Sequence, residues 1–244
     1  MRRAHLIVVL LLPVAIKAET VIGYSDSIFK DADWTTEIVA FSALFAAAQP
    51  SFEVNQEIAE GNPDAFRRTR TIGSNSAFSI AVGHILQIAV IDPRVDTIQS
   101  FDMFFDIIGL PQGAGDTGFS VYAPIIEQDG AYFGPTDRAL TNGNWSAGSF
   151  LGLTQNDLTD YNDFTTNPDF SNTGGVISFG YAVRAGNSNG GFDELTGLDN
   201  WVVNATTTPA PAIIPLPAGV WGLLAAISLI FKAHRKKLAR NHRD

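Results

Sequence analysis

Histidine restricts the chemistry open to this 244-residue chain more than any other residue type. Three of the four histidines, His5, His234 and His242, lie near the ends, and only His84 lies in the central region. A Ser-His-Asp arrangement would have to use His84. Zinc sites without cysteine normally need two or three histidines, and the chain has no cysteine. His84 lies between two apolar runs, which favours a structural or turn histidine, so we predict no catalytic residue and no metal site.

Paired carboxylates are the remaining route to catalysis. In the run from Phe101 to Asp106, strand alternation puts Asp102, Phe104 and Asp106 on one face and the residues between them toward a core. At about 3.3 Å per residue the two aspartates lie about 13 Å apart, whereas glycosidase carboxylates lie about 5–9.5 Å apart. Two acceptors beside an aromatic ring suit a sugar. Asp102, Phe104 and Asp106 are therefore the candidate ligand-binding residues, and an ordinary solvent-facing strand is the alternative.

Oxygen-rich loops raise the question of calcium. Asp157, Asp160 and Asp163 are closely spaced, and the segment 187–194 is rich in Asn, Gly and acids. Calcium takes six to eight oxygen ligands, but neither loop has the spacing of an EF-hand. Solvated loop acids are the favoured interpretation. We therefore predict no cofactor, with calcium left as the alternative.

The elements that would position these residues are strands. Short apolar runs alternate with segments rich in Gly, Asn, Asp, Ser and Thr, a pattern that predicts an all-β fold. Asp129-Gly130 is a strong hairpin signal. Residues 37–48 fit a helix by their alanines and a strand by their surroundings, and we predict a strand. The predicted strands are 77–82, 85–91, 99–108, 119–126, 131–133, 176–183 and 198–203. Their number and spacing suggest a two-sheet sandwich of jelly-roll type.

Charge is unevenly distributed along the chain. Between residues 19 and 212 there are 24 acidic and seven basic residues, so this region carries a net charge of −17. Such a body repels the phosphates of nucleic acids and anionic membranes. We therefore expect no nucleic-acid partner.

Both ends have the composition of targeting segments. Met1-Arg2-Arg3 precedes an eleven-residue apolar run, 6–16, and Ala18 is a small residue suited to a cleavage site. Residues 213–231 contain no charge, and about 28 Å of helix is close to the thickness of a bilayer core. The predicted organisation is a signal peptide at 1–18, a β-sandwich at 19–203, a Thr/Pro/Ala linker at 204–212, a transmembrane helix at 213–231 and a basic cytoplasmic tail at 232–244.

The tail resembles the VPLPA variant of the PEP-CTERM sorting signals of Gram-negative bacteria. The residues that carry the resemblance are Pro215, Leu216, Pro217, Ala218 and Gly219, with Ile214 where the family usually has Val. The resemblance implies recognition by an exosortase-type transpeptidase in the inner membrane. Cleavage near these residues, followed by release to the cell surface or extracellular polysaccharide matrix, is the expected fate.

Three stretches of the body also resemble concanavalin A-like or galactose-binding-like jelly-roll domains. They are 31–34 (Asp-Ala-Asp-Trp), 61–68 (Gly-Asn-Pro-Asp-Ala-Phe-Arg-Arg) and 197–203 (Gly-Leu-Asp-Asn-Trp-Val-Val). The resemblance implies a jelly-roll fold with a tendency toward glycan binding, and no activity. The expected protein is a structural or adhesive surface protein with weak glycan binding. An enzyme acting on extracellular polysaccharide is the alternative.

Overall fold

The computed structural model describes residues 18–43, 50–73, 77–110, 119–187 and 191–210. Contacts within the chain divide it after Ala210, so all of these residues belong to the first of two units. Their regular structure consists of β-strands and two 3₁₀ turns. None of the helices in these ranges is long and apolar enough to cross a bilayer. The predicted signal peptide up to Lys17, the sorting motif and the predicted span 213–231 lie outside the described residues.

The strands are β1 Thr20–Asp26, β2 Trp34–Ala43, β3 Ser51–Glu57, β4 Phe66–Gly73, β5 Ala77–Ile91, β6 Asp96–Leu110, β7 Phe119–Gln128, β8 Ala131–Gly134, β9 Ala139–Leu140, β10 Ser146–Leu153, β11 Thr159–Asp160, β12 Ile177–Gly186 and β13 Phe192–Pro209.

These strands form two antiparallel sheets. The first has the order β10-β6-β13-β4-β3, and β1 pairs with the part of β13 that β4 does not reach. The second has the order β11-β8-β7-β12-β5-β2, with β9 paired to β7. Along the described strands the chain crosses repeatedly from one sheet to the other, for example at each step from β4 through β5 and β6 to β7. It then returns to place β12 and β13 between strands already laid down, which is consistent with a jelly-roll sandwich. The prediction of an all-β, two-sheet fold is confirmed.

Alternating apolar residues explain how the two sheets meet. In β6, Phe101, Met103 and Phe105 are almost completely buried, while Asp102 and Phe104 point away from the core. The strand faces are therefore as predicted for this segment. Neighbouring strands contribute in the same way, so the main core lies between the sheets. An interior of this kind is what stabilises a domain without disulfides.

The sharpest turn follows the predicted hairpin signal. Asp129 and Gly130 have φ angles of 54° and 80°, and Gln128 pairs directly with Ala131. Two consecutive positive φ angles are the geometry of a type I′ turn, whose twist matches that of the flanking strands. Gly130 is required here because a side chain is disfavoured at this angle. The predicted hairpin between β7 and β8 is confirmed.

An aromatic cluster occupies the centre of the core. The ring of Trp34 lies 5.5 Å from that of Trp201 and 5.4 Å from that of Tyr181, both in edge-to-face arrangements. Such pairs stabilise by about 0.5–1.5 kcal/mol beyond the area that they bury. The Nε1 atom of Trp201 is buried without a hydrogen-bond partner among the described residues.

A polar network is buried beside the aromatic cluster. Arg67 is 2% exposed and donates from Nε to Nδ1 of His84 over 3.2 Å. Its Nη1 pairs with Asp31 at 2.9 Å. Since Nδ1 accepts, Nε2 carries the proton of the neutral ring, and it lies 3.3 Å from the hydroxyl of Thr69. Burial, with the adjacent Arg67 charge as a smaller cause, holds the pKa of His84 well below its ordinary value.

The setting of His84 also corrects one sequence expectation. Two strands separated by a turn at Gly83-His84 were predicted, but β5 runs without interruption from Ala77 to Ile91. His84 is a fully buried residue within this strand and stacks on Tyr181 at 4.5 Å. The interpretation as a structural histidine fits this position, and the interpretation as a turn residue is wrong.

Other differences concern strand bounds. β2 supports the strand predicted for 37–48 as far as Ala43, and the rest of that segment lies outside the described residues. The predicted linker begins too early, because β13 continues to Pro209 and pairs there with Asp96 of β6. Its Thr residues alternate between core and solvent, as strand residues do. The strands β1, β3, β4, β9, β10 and β11 had no counterpart in the sequence prediction.

Candidate functional site

The predicted ligand-binding residues lie on the outward face of the first sheet. Phe104 is 36% exposed, and the carboxylate of Asp102 accepts the backbone N–H of Gly152 at 2.6 Å. Asp106 accepts from the side-chain amide of Asn200 at 2.8 Å. Both carboxylates thus fix neighbouring segments of the chain. Sugar binding at this face stays a prediction.

Next to Asp106, a buried carboxylate joins two distant loops. Asp199 is 1% exposed and accepts the backbone N–H groups of Asn62 at 2.5 Å and Asn200 at 2.6 Å. Its pKa is raised, chiefly by burial, although the two backbone hydrogen bonds act in the opposite direction. Asn200 adopts a left-handed φ of 52° to complete this junction. We interpret the cluster as a structural connection between residues 61–64 and β13.

The acids considered for calcium are also engaged by their own turns. Asp157 accepts from the backbone and hydroxyl of Thr154 at 2.8 and 2.7 Å. Asp163 accepts the backbone N–H of Thr165 at 2.8 Å. In the part of the chain that the structure describes, no group of three or more His, Asp or Glu residues could hold a metal ion. Part of the second candidate loop, 188–190, lies outside the described residues.

A cavity lies on the outward face of the second sheet, opposite to β6. It is a cleft of about 550 Å³, which we call the arginine cleft. Residues 38–42 of β2 form one wall, and Tyr161, Asn162 and Phe164 of the loop after β11 form another. It is completed by residues that the sequence analysis did not single out: Pro50, Ser79, Ala81, Arg138 and Arg184.

Apolar residues form the floor of the arginine cleft. Val39 and Ala81 of this lining come from adjacent strands and pack with Ala182 and Tyr161 in a buried cluster separate from the main core. These side chains face outward from the sheet, so they would be in water if the 161–164 loop did not cover them. Burying them fixes the loop against the sheet.

Two exposed aromatic rings flank this floor. Phe41 is 52% exposed and Phe164 is 65% exposed. Phe164 has a left-handed φ of 56°, and its N–H bonds to the carbonyl of Asp160 at 3.0 Å. A positive φ is uncommon for a bulky residue because it costs conformational energy. Residues held in such conformations are concentrated at functional sites. The loop therefore holds a phenyl ring in water at the edge of a cavity.

Two arginines supply the polar groups of the cleft. The guanidinium carbon of Arg138 lies 5.9 Å from the centre of the Tyr161 ring. Arg184 projects from β12, and its Nη2 lies 3.5 Å from the hydroxyl of Ser79. Burial raises the pKa of Tyr161, and the charges of Arg138 and Arg184 partly oppose that rise. Both cations are therefore close enough to act on the same hydroxyl.

One sequence signal could have identified this site. Arg184 is the single charge in the run Ile-Ser-Phe-Gly-Tyr-Ala-Val-Arg-Ala-Gly of β12, which is otherwise apolar or small. A long cationic side chain in the middle of a buried-type strand must point away from the core. Its position indicated a polar feature on the outward face of that sheet.

Comparison with known proteins adds only distant structural likeness. No protein-family model matches the chain, and no curated protein matches it. A family 11 carbohydrate-binding module from Clostridium thermocellum, solved with a β-1,3-1,4-mixed-linked tetrasaccharide, superposes with a TM-score of 0.42 at 11% identity over 78% of this chain and 96% of that one. The CBM22-1 xylan-binding domain from Paenibacillus barcinonensis Xyn10C gives 0.38 at 12% identity over 81% and 100%. At such scores the ligand of this chain has to be inferred from its own residues.

Proposed function

We propose that this chain is an exported surface or matrix protein whose β-sandwich binds a saccharide in the arginine cleft without turning it over. The observation that carries the proposal is the combination of exposed rings and an apolar floor in one cavity. Phe41 and Phe164 are more than half exposed beside a floor that includes Val39 and Ala81. A volume of about 550 Å³ is in the range of small-molecule sites.

Sugars match this combination of residues because they have both an apolar C–H face and polar hydroxyl groups. The C–H face of a pyranose packs on an aromatic ring, and its hydroxyls exchange hydrogen bonds with polar side chains. Phe41 and Phe164 offer the rings, and Asn162 and Ser79 offer polar side chains. Because only a few such contacts are made on an open surface, the dissociation constant should be about 10⁻⁴ to 10⁻³ M.

Binding is favoured over hydrolysis by the residues that line the cleft. Glycosidases use two carboxyl groups about 5–9.5 Å apart. The described residues that line the arginine cleft include no Asp and no Glu. A polysaccharide-acting enzyme is the alternative function, and release of reducing sugar by the purified chain would establish it.

We expect Phe164→Ala and Phe41→Ala each to weaken binding by about five- to tenfold, since a ring stacked on a sugar contributes about 1 kcal/mol or somewhat more. The measurement is a glycan array on the purified full-length chain in mild detergent, followed by titration calorimetry with the best ligand. Phe104→Ala is the matched control, because it removes the same ring from the other sheet. If Phe104→Ala abolishes binding and Phe164→Ala does not, the site is the β6 face and the proposal for the cleft is wrong.

The proposal that the chain is exported and sorted rests on its two ends. An exosortase-type transpeptidase would recognise Pro215 to Gly219 while residues 213–231 hold the chain in the inner membrane. The net charge of −17 between residues 19 and 212 suits an exported domain that stays soluble. A surface or matrix location would bring the cleft close to extracellular polysaccharide.

The sorting proposal predicts the mass of the mature protein. Protein recovered from the cell surface should lack the residues that follow about Ala218, including all six basic residues of the tail. Changing both Pro215→Ala and Pro217→Ala should leave the protein in the inner membrane fraction at full length. Intact Lys232 to Asp244 on surface protein, seen by mass spectrometry, would show that this segment is not processed.

A further inference from the structure

The arginines of the cleft differ from the other arginines of the domain in their partners. Four of the six described arginines form ion pairs with carboxylates at 2.7 to 3.5 Å; these are Arg67, Arg68, Arg70 and Arg94. Arg138 and Arg184 form no ion pair with any residue that the structure describes. Both of them line the arginine cleft.

Their existing contacts leave most of their hydrogen-bonding capacity available. A guanidinium has five N–H donors. Arg138 donates from Nη1 to the backbone carbonyl of Asp137 at 2.7 Å, and Arg184 donates to Ser79 at the long distance of 3.5 Å. Such planar groups are suited to bind a carboxylate through two parallel hydrogen bonds.

Two acids of the loop that forms one wall of the cleft, Asp160 and Asp163, are bound within that loop. Asp160 accepts the backbone N–H of Asn162 at 2.6 Å. Asp163 accepts backbone N–H groups of Thr165 and Thr166, and these bonds lower its pKa. The same two aspartates shape the turn that presents Phe164. They maintain the loop and do not neutralise the arginines.

The absence of acids from the cleft lining is notable because acids are abundant in the domain. Residues 19–212 contain 24 acids and seven bases, yet two of those seven bases line one cavity whose described lining has no acid. Two like charges near one another on a partly desolvated surface repel, and an anion placed between them removes this repulsion. The cleft is therefore locally cationic on an anionic protein.

We infer that the saccharide bound in the arginine cleft is acidic, with a uronate carboxylate held by Arg138 and Arg184 while its ring packs on an exposed phenyl group. This inference rests on the saccharide binding proposed above and adds the chemical class of the ligand. A neutral sugar offers the two guanidinium groups only hydroxyl acceptors, whereas a carboxylate offers charge-assisted hydrogen bonds that can be bidentate. The net charge of −17 disfavours long polyanions such as nucleic acid or an anionic membrane, so the ligand we infer is a short acidic saccharide segment and not an extended array of charges.

The test uses pairs of ligands that differ only in charge. Trimers of galacturonate, mannuronate and guluronate are titrated into the purified full-length chain, each beside its methyl ester. For at least one of the three we expect the acid to bind at least about tenfold more tightly than its ester, since hydrogen bonds to charged groups are among the stronger ones. Arg184→Gln and Arg138→Gln should each remove most of this preference.

Three further variants or competitors separate the possible outcomes. Lys30→Gln removes a positive charge from an exposed residue outside the cleft and should leave the preference unchanged. Arg184→Lys keeps the charge without the planar fork and should retain part of the preference. If inorganic sulfate at equal concentration displaces the trimer, the cleft binds anions without recognising a sugar, and the inference is overturned.

Failure of the inference can be distinguished from failure of the proposed function. Equal affinity for acid and ester, or binding of neutral glycans only, overturns the acidic ligand and leaves saccharide binding in place. Lack of binding to every acidic and neutral glycan on the array overturns both. Loss of the preference in Lys30→Gln to the same extent as in Arg184→Gln would mean that overall charge, and not the cleft, determines it.

Discussion

Trp201→Ala should destabilise the domain by about 3–5 kcal/mol, the cost usual for removing a large aromatic side chain from a packed core. Trp201 is completely buried, and its ring contacts that of Trp34 at a centroid distance of 5.5 Å. This cost has two parts, the lost free energy of transferring the ring from water to the core and the cavity that the ring leaves behind. For a domain of this size the melting temperature should fall by roughly 6–20 °C. Thermal and urea unfolding of the full-length chain, followed by far-ultraviolet circular dichroism, measures the change.

Trp201→Phe is the informative companion to this variant. It keeps an aromatic ring in the cluster and removes the buried N–H that has no hydrogen-bond partner among the described residues. Removing that unsatisfied donor offsets part of the cost of the small cavity that phenylalanine leaves. The free energy of unfolding should therefore fall by less than about 1.5 kcal/mol. A loss of stability as large as that of Trp201→Ala would mean that the indole N–H has a hydrogen-bond partner and that this bond contributes to stability.

The stretches that resembled jelly-roll families meet one another in the folded chain. Asp31 of the first pairs with Arg67 of the second at 2.9 Å, and Asn62 of the second donates its N–H to Asp199 of the third at 2.5 Å. Trp34 and Trp201, also from the first and third, are in ring contact. These stretches therefore hold loops and sheets together, and none of them lines the arginine cleft. They indicated the fold and contained no information about the ligand.

The parts of the fold that the sequence predicted are those that depend on local signals. Alternation in β6 and the Asp-Gly turn are local signals, and both gave the observed structure because strand faces and turn types depend on neighbouring residues. β4 was missed because its sequence, Phe-Arg-Arg-Thr-Arg-Thr-Ile-Gly, contains three arginines. Those charges are accommodated by carboxylates from other parts of the chain, such as Asp193 at 2.7 Å from Arg70. Long-range partners of this kind leave no trace in local periodicity.

The arginine cleft was missed for the same reason. Phe41, Arg138, Phe164 and Arg184 are spread over more than 140 positions. They come together only through the pairings that run across the second sheet from β2 through β5, β12, β7 and β8 to β11. Asp102, Phe104 and Asp106 were conspicuous because they are adjacent in sequence. Alternate positions on one strand form a row on one face of a sheet, whereas the walls of a cleft come from separate elements. Inspection of a single sequence therefore identifies residues that are close together in the chain more easily than residues that only the fold brings together.

The last prediction concerns pH, and it follows from the neutral His84 in the core. Its folded-state pKa is well below the ordinary value of 6.5 because of burial and Arg67, so below that pH the unfolded chain binds a proton that the folded chain does not. Stability is then present above about pH 6.5 and lost as the pH falls, by about 1.4 kcal/mol per unit until the folded-state pKa is reached. From pH 7 to pH 5 the free energy of unfolding should therefore decrease, which is measured by urea unfolding at each pH.

His84→Gln isolates this contribution, because glutamine keeps a polar side chain beside Arg67 and does not titrate. The variant should be less stable than the parent at pH 7, and the difference between the two should shrink as the pH falls from 7 to 5, by at most about 1.4 kcal/mol per pH unit. The other histidines lie outside the described residues and are present in both proteins, so their effect cancels. Asp199 acts with the opposite sign, since its raised pKa lets the folded chain take up a proton first, and it cancels as well. Parallel pH profiles for the two proteins would mean that the pKa of His84 is the same in the folded and unfolded chains, so that the buried ring takes up a proton as the pH falls. Nδ1 would then carry a hydrogen facing the guanidinium of Arg67, and the buried network as described could not hold.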